Sequence, residues 1–152
     1  MDYRRYNDTI LLRIDRGEEI IETLKTVAEQ EHVRLAEISA LGATDDFTVG
    51  VYDVDAKRYD SKTFTGPHEI VSLVGTVTEK DGAFYQHLHM SAGNRDCAVV
   101  GGHLNRAVVS ATCEMVIRVL SGAVDRSPDP ETGINLLRFL RMRNAECGMR
   151  NG

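Results

Sequence analysis

Between Glu69 and Ser91 two β-forming segments are joined by only four polar residues, and this connection limits the folds open to the chain. Ile70, Val71, Leu73, Val74, Thr76 and Val77 make the first segment nearly continuous in strand-forming residues. Glu79-Lys80-Asp81-Gly82 follows as a hairpin turn, with glycine where a positive φ is needed. Ala83 to Ser91 then returns as the partner strand. A turn this short joins antiparallel strands, because parallel neighbours need a crossover of about a dozen residues or more.

The same economy recurs along the chain. Thr9 to Ile14 reads as a short strand closed by the turn Asp15-Arg16-Gly17. Glu18 to Glu31 has helical spacing, with Ile20, Ile21, Leu24, Val27 and Ala28 on one stripe and acids in the first turn. Val33 to Ala40 and Phe47 to Tyr52 read as strands, the first ending at Gly42. Arg58 to Phe64 pairs with the second across the polar break 53–57, and Gly66-Pro67 breaks the chain. Cys97 to Gly102 and Ser110 to Ser121 are further strands. Val124 to Gly133 reads as a proline-containing loop, and Leu136 to Leu140 as a last strand or short helix. The sum predicts an α+β fold: an antiparallel sheet of seven or eight strands packed on one main helix. With 152 residues and no linker or repeat, residues 1–152 form a single domain, with about 142–152 a tail.

Three of the five histidines fall in one window, at His87, His89 and His103. On a strand, His87 and His89 point to one face with Cα atoms roughly 6–7 Å apart. Gly101 and Gly102 precede His103, and a sharp backbone turn there brings the third imidazole to the other two. Three imidazoles with a fourth position free make an open zinc site. The bland alternative is three polar-face histidines without a ligand.

Other residues invite weaker assignments. Glu114 lies in the apolar run Ala111 to Leu120, where a carboxylate serves as acceptor for a ligand histidine, as general base, or as an exposed edge charge. Glu69 raises the same question, whereas Asp45 and Asp46 read as loop acids. Cys97 and Cys113 are zinc ligands by type, but in apolar runs they read as small core residues. His68 reads as a loop surface residue, and His32 as a cation at the helix end. Asn94 and Arg95 fall in a loop at the rim of the site, where Arg95 is suited to an anion or to solvent.

Composition excludes several classes. The net charge of −5 argues against broad charge-driven nucleic-acid binding. The run Arg138, Arg141, Arg143 and Arg150 reads as a solvated tail. An odd number of cysteines, three, and a charged segment from Met1 to Tyr6 predict reduced thiols and a cytoplasmic protein. No apolar run approaches the roughly 20 residues that cross a bilayer. No phosphate-loop, dinucleotide or serine-hydrolase motif is present.

Glu69-Ile70-Val71-Ser72-Leu73-Val74-Gly75-Thr76-Val77, then His87-Leu88-His89, then Gly101-Gly102-His103-Leu104 resemble the PPC domain, plants and prokaryotes conserved. The resemblance extends over nearly the whole chain. It implies a homotrimer in which His87, His89 and His103 are the metal ligands, zinc or another divalent transition metal being the cofactor. It also implies DNA as a partner, through plant members that carry AT-hooks. This sequence has no Arg-Gly-Arg-Pro hook, and Gly66-Pro67-His68-Glu69-Ile70-Val71 departs from the plant partner-binding segment. Two functions therefore stand as expectations. One is a metal-binding homotrimeric module with a regulatory or DNA-binding role. The other is a metal-dependent hydrolase or lyase acting on a small polar or anionic substrate.

Overall fold

Alternation of apolar and polar residues builds most of the molecule as antiparallel ladder. The computed structural model describes residues 1–139, so the expected tail and the basic residues Arg141, Arg143 and Arg150 lie outside the described residues. Eight strands are present there: β1 (Asp2–Tyr6), β2 (Thr9–Asp15), β3 (Ala36–Asp53), β4 (Arg58–Lys80), β5 (Ala83–Gly93), β6 (Val99–Val119), β7 (Val124–Pro128) and β8 (Asn135–Phe139). The helix α1 (Ile20–Gln30) lies between β2 and β3. The main sheet runs β1-β2-β6-β3-β4-β5, and β5 also pairs with β6, so β6, β3, β4 and β5 close on one another. β7 and β8 form a separate two-stranded ribbon.

The expected hairpin is present, with Asp81 at φ 54 and Gly82 at φ 78 carrying the β4–β5 turn. That pair of positive φ values matches the right-handed twist of the flanking strands. The helix stripe is also present. Ile20, Leu24 and Val27 are fully buried and share one core with Ile10, Leu12, Ile38, Leu73, Leu88 and Met115. Each such side chain contributes about 1.5–3 kcal/mol by leaving water. Glu19 caps the helix by accepting from the Glu22 amide at 2.8 Å and ties it to β6 by accepting from the Ala107 amide at 2.9 Å.

Four expectations are corrected. The two strands expected at 33–40 and 47–52 are one, β3, which starts at Ala36 and has irregularities between Ala40 and Gly42 and between Thr44 and Asp46. Gly66-Pro67 does not end a strand: β4 runs through it, opposite the irregularity at Asp45, where the ladder needs no proline N–H. The strands expected at 97–102 and 110–121 likewise merge into one, β6, which starts at Val99 and ends at Val119. Val124 to Gly133 is not all loop, because β7 occupies its first half. The charged β1 was not expected as a strand. It is an edge strand paired only with β2, where polar side chains are tolerated.

Candidate metal centre

Along β5 the side chains alternate between core and outer surface. Leu88 and Met90 are 0% and 1% exposed, while His87 and His89 stand on the opposite face. Cross-strand register then sets the neighbours. His89 pairs with His103 on β6, and His87 pairs with Thr76 on β4. Directly opposed residues share a face, so the three imidazoles converge on the outer side of the sheet. One nitrogen from each lies within 4.8 Å of the others. Ring centroids are 5.2 Å apart for His87–His89, 5.2 Å for His87–His103 and 5.6 Å for His89–His103.

The two glycines before His103 work differently from the turn expected of them. Neither has positive φ, and both lie within β6. Gly102 instead allows close approach: a Cβ there would stand 2.6 Å from the carbonyl oxygen of Gly50 on β3. Without a side chain, β6 packs against β3 at the rung that pairs Gly50 with His103.

The imidazoles line a recess of about 700 Å³. Tyr59 of β4 stands edge-on to His103, with ring centroids 6.2 Å apart, and its hydroxyl donates to Asn105 Oδ1 at 2.6 Å. Tyr52, Val51 and Val54 come from the β3–β4 hairpin, and Ile134 and Asn135 from the β7–β8 ribbon. Among the described residues no aspartate or glutamate lines this recess. Burial holds the His87 imidazole below its ordinary pKa, helped by His103, Arg126 and His89. Burial, then His89, lowers His103 in the same way. Both shifts favour the neutral imidazole, the form that ligates metals.

Sequence reasoning missed Arg126. It is 5% exposed on β7, and its guanidinium lies 4.7 Å from the centre of the Tyr85 ring. Nε donates to Thr78 Oγ1 at 2.9 Å, Nη1 to the Asn135 carbonyl at 3.0 Å, and Nη2 to Thr76 Oγ1 at 3.4 Å. A lone arginine in a segment that reads as loop carries no signal of this.

The remaining candidates lie elsewhere. Glu114 is exposed on β6 opposite Arg13 and Leu41, in a separate depression of about 620 Å³ that also takes in Leu11, Val74 and Val116. The structure does not bring it to the histidines. Glu69 is exposed opposite Gly93. Asp45 is exposed at the β3 irregularity, and Asp46 pairs with Arg106 at 2.8 Å. Cys113 is a core residue whose thiol burial pushes up to about 12, with Glu114 adding to the shift, so it stays protonated. Cys97 is not in the core: it is exposed in a turn at φ 59. Asn94 Oδ1 accepts from the Asp96 and Ala98 amides and shapes that turn, and Arg95 beside it is solvated. His68 is half-buried rather than a loop residue, edge-on to Phe47 at 5.0 Å. His32 follows the helix cap at φ 54. No helix among the described residues is long and apolar enough to cross a membrane.

Comparison with known proteins adds to this geometry. The family model described as the Plants and Prokaryotes Conserved domain matches residues 1–121. A metal-containing protein from Archaeoglobus fulgidus shares 33% identity and a TM-score of 0.81, over 91% of this chain and 99% of that one. A protein from Bacteroides thetaiotaomicron, provisionally named DNA-binding, shares 27% identity and a TM-score of 0.89, over 92% and 98%. A plant- and prokaryote-conserved protein from Pyrococcus horikoshii shares 28% identity and a TM-score of 0.79, over 93% and 96%. No curated protein matches the chain.

Proposed function

Since the chain belongs to the Plants and Prokaryotes Conserved domain family, we propose that it is a metal-binding homotrimer of the cytoplasm. In this reading His87, His89 and His103 of one chain hold a single zinc ion. The observation that carries it is the convergence of three imidazoles, with ligand nitrogens within 4.8 Å of one another. Nitrogens bonded to one zinc at about 2.0–2.1 Å stand about 3.4 Å apart. Small rotations of the side chains close that difference. The metal-containing relative from Archaeoglobus fulgidus supports the reading.

The trimer draws support from the outer face of the sheet. Leu41, Val71 and Val74 are 57%, 60% and 51% exposed there, with Leu11 and Val116 beside Val74's rung. A contiguous apolar patch of this kind marks an interaction surface.

Metal analysis tests the site. Purified wild type is expected to carry about one zinc per chain, and the His87→Ala/His89→Ala variant none while keeping its fold. A folded wild type that takes up no zinc would sink the assignment.

A second reading, a metal-dependent hydrolase or lyase, is favoured by one observation: the histidines line a recess and not a flat surface. Zinc in such a site supplies Lewis acidity and an open coordination position. The chain itself would contribute the tyrosines and Arg126 to substrate binding. Glu114, in the other depression, is poorly situated as a base for this chemistry.

The DNA-binding name of relatives is a weaker guide here. Several exposed arginines are engaged locally, as in Arg13–Asp15, Arg34–Glu79, Arg58–Asp60 and Arg106–Asp46, each at 2.8–2.9 Å. Phosphate binding would have to compete with these partners and with a net charge of −5. A salt titration tests it: no binding to duplex DNA at low salt rejects that role.

A further inference from the structure

Arg126 is a buried cation whose side chain, among the described residues, touches only neutral acceptors. Exposed arginines such as Arg13, Arg34 and Arg106 each have a carboxylate within 3 Å. Arg126, at 5% exposure, has two threonine hydroxyls, a backbone carbonyl and the face of Tyr85. Desolvated guanidinium without an anion is unfavourable unless something supplies the charge.

Its position says where that charge would come from. Thr78 pairs with Tyr85, and Thr76 pairs with His87. Arg126 binds both threonines and stacks on the tyrosine, so its guanidinium sits across the two rungs that flank and include His87. It lines the same recess as the three histidines. No acidic residue among the described residues lines that recess. An ion held by three neutral imidazoles also keeps its full positive charge. With an ion bound, the recess would gather two cationic centres and, among the described residues, no anion.

We propose that Arg126 and the metal site together form a two-point clamp for a small oxyanion, a carboxylate or phosphate. One oxygen takes the open metal position and another accepts from Arg126, which favours planar two-oxygen groups. Val51, Val54, Ile134 and Tyr52 give the rest of the recess an apolar lining. A carboxylate carrying a compact apolar or aromatic body suits that lining better than bare phosphate. The proposal rests on the zinc reading above and extends it to the ligand class.

Calorimetric titration of the zinc-loaded full chain with benzoate, inorganic phosphate and the neutral isostere benzamide tests it, with zinc content measured on the same samples. Benzoate is expected to bind at least tenfold more tightly than benzamide. Arg126→Met should weaken benzoate at least tenfold with zinc stoichiometry unchanged, and Arg126→Lys should retain part of the affinity. Phosphate binding more tightly than benzoate would keep the clamp and assign it to phosphate. If Arg126→Met does not fold, Arg126→Lys and the benzoate–benzamide contrast decide. Zinc-loaded protein that binds benzoate and phosphate no better than benzamide overturns the clamp alone, as does a folded Arg126→Met with wild-type benzoate affinity. Wild type without zinc overturns the metal reading and the clamp with it.

Discussion

One row of paired residues on the outer face of the sheet crosses two kinds of surface. It runs Leu11, Val116, Ser39, Val74, His89, His103, each residue opposite the next. At the β2–β6–β3–β4 end three of the four side chains, Leu11, Val116 and Val74, are apolar and bare, with Leu11 49% and Val74 51% exposed. At the β5–β6 end the chain builds its own walls from the β3–β4 hairpin and the β7–β8 ribbon. The same face of the same sheet is thus left open in one place and enclosed in another. Enclosure by the chain's own elements suits the proposed ligand site, with polar groups held in place before anything binds. A bare apolar stretch is instead completed by another molecule, here proposed to be a further copy of the chain.

The largest effect is expected where the surface is bare. Val74→Glu/Val116→Glu adds two charges to the apolar row without touching the core. It should convert a trimer to monomer, a roughly threefold fall in mass by light scattering. A trimer that survives the change would break the comparison. A monomeric wild type would remove one side of it.

A smaller effect is expected at the enclosed end. Gly102→Ala sets a methyl 2.6 Å from the Gly50 carbonyl oxygen. Overpacking of this kind costs about 1–3 kcal/mol. Thermal melting should show the loss, and zinc affinity should fall because His103 is carried on the displaced strand. Unchanged melting and unchanged affinity would remove Gly102 from the explanation of the site.

The smallest effect is a pH dependence. Burial, the other histidines and Arg126 lower the His87 pKa, and burial and His89 lower that of His103. A lowered histidine pKa means the unfolded chain takes the proton first. The stability these groups contribute is therefore present above about pH 6.5, their unperturbed value, and is lost as pH falls through the lowered values. Zinc affinity should be nearly flat from pH 8 to about 6.5 and then drop steeply, as protons compete for the same nitrogens. Affinity that already declines well above pH 6.5 would contradict neutral, pre-formed ligands.

Local rules made part of this legible in the sequence. The 79–82 turn, the Ile20–Ala28 stripe and the period-two spacing of His87 and His89 each follow from a few neighbouring residues. What joined His103 to them was long-range register, and the Gly101-Gly102 pair suggested the right outcome for the wrong reason. Glycine there serves close packing of strands, which depends on Gly50, far away in sequence. The long strands β3 and β4 were hidden because Gly66-Pro67 reads as a break unless its partner carries a matching irregularity at Asp45. Arg126 was hidden because its burial comes from Tyr85, Thr76 and Thr78 on other strands. Glu114 drew attention as a charge in an apolar run, but alternation along β6 turns it outward, away from the core.

The central claim is that one ion sits among three imidazoles of this chain. Zinc-soaked crystals, with an anomalous difference map at the zinc edge, test it most directly. The account predicts one strong peak per chain, bonded to His87, His89 and His103 at about 2.0–2.1 Å with a further position open. A map with no peak at these histidines, in crystals that hold zinc in solution, would contradict it.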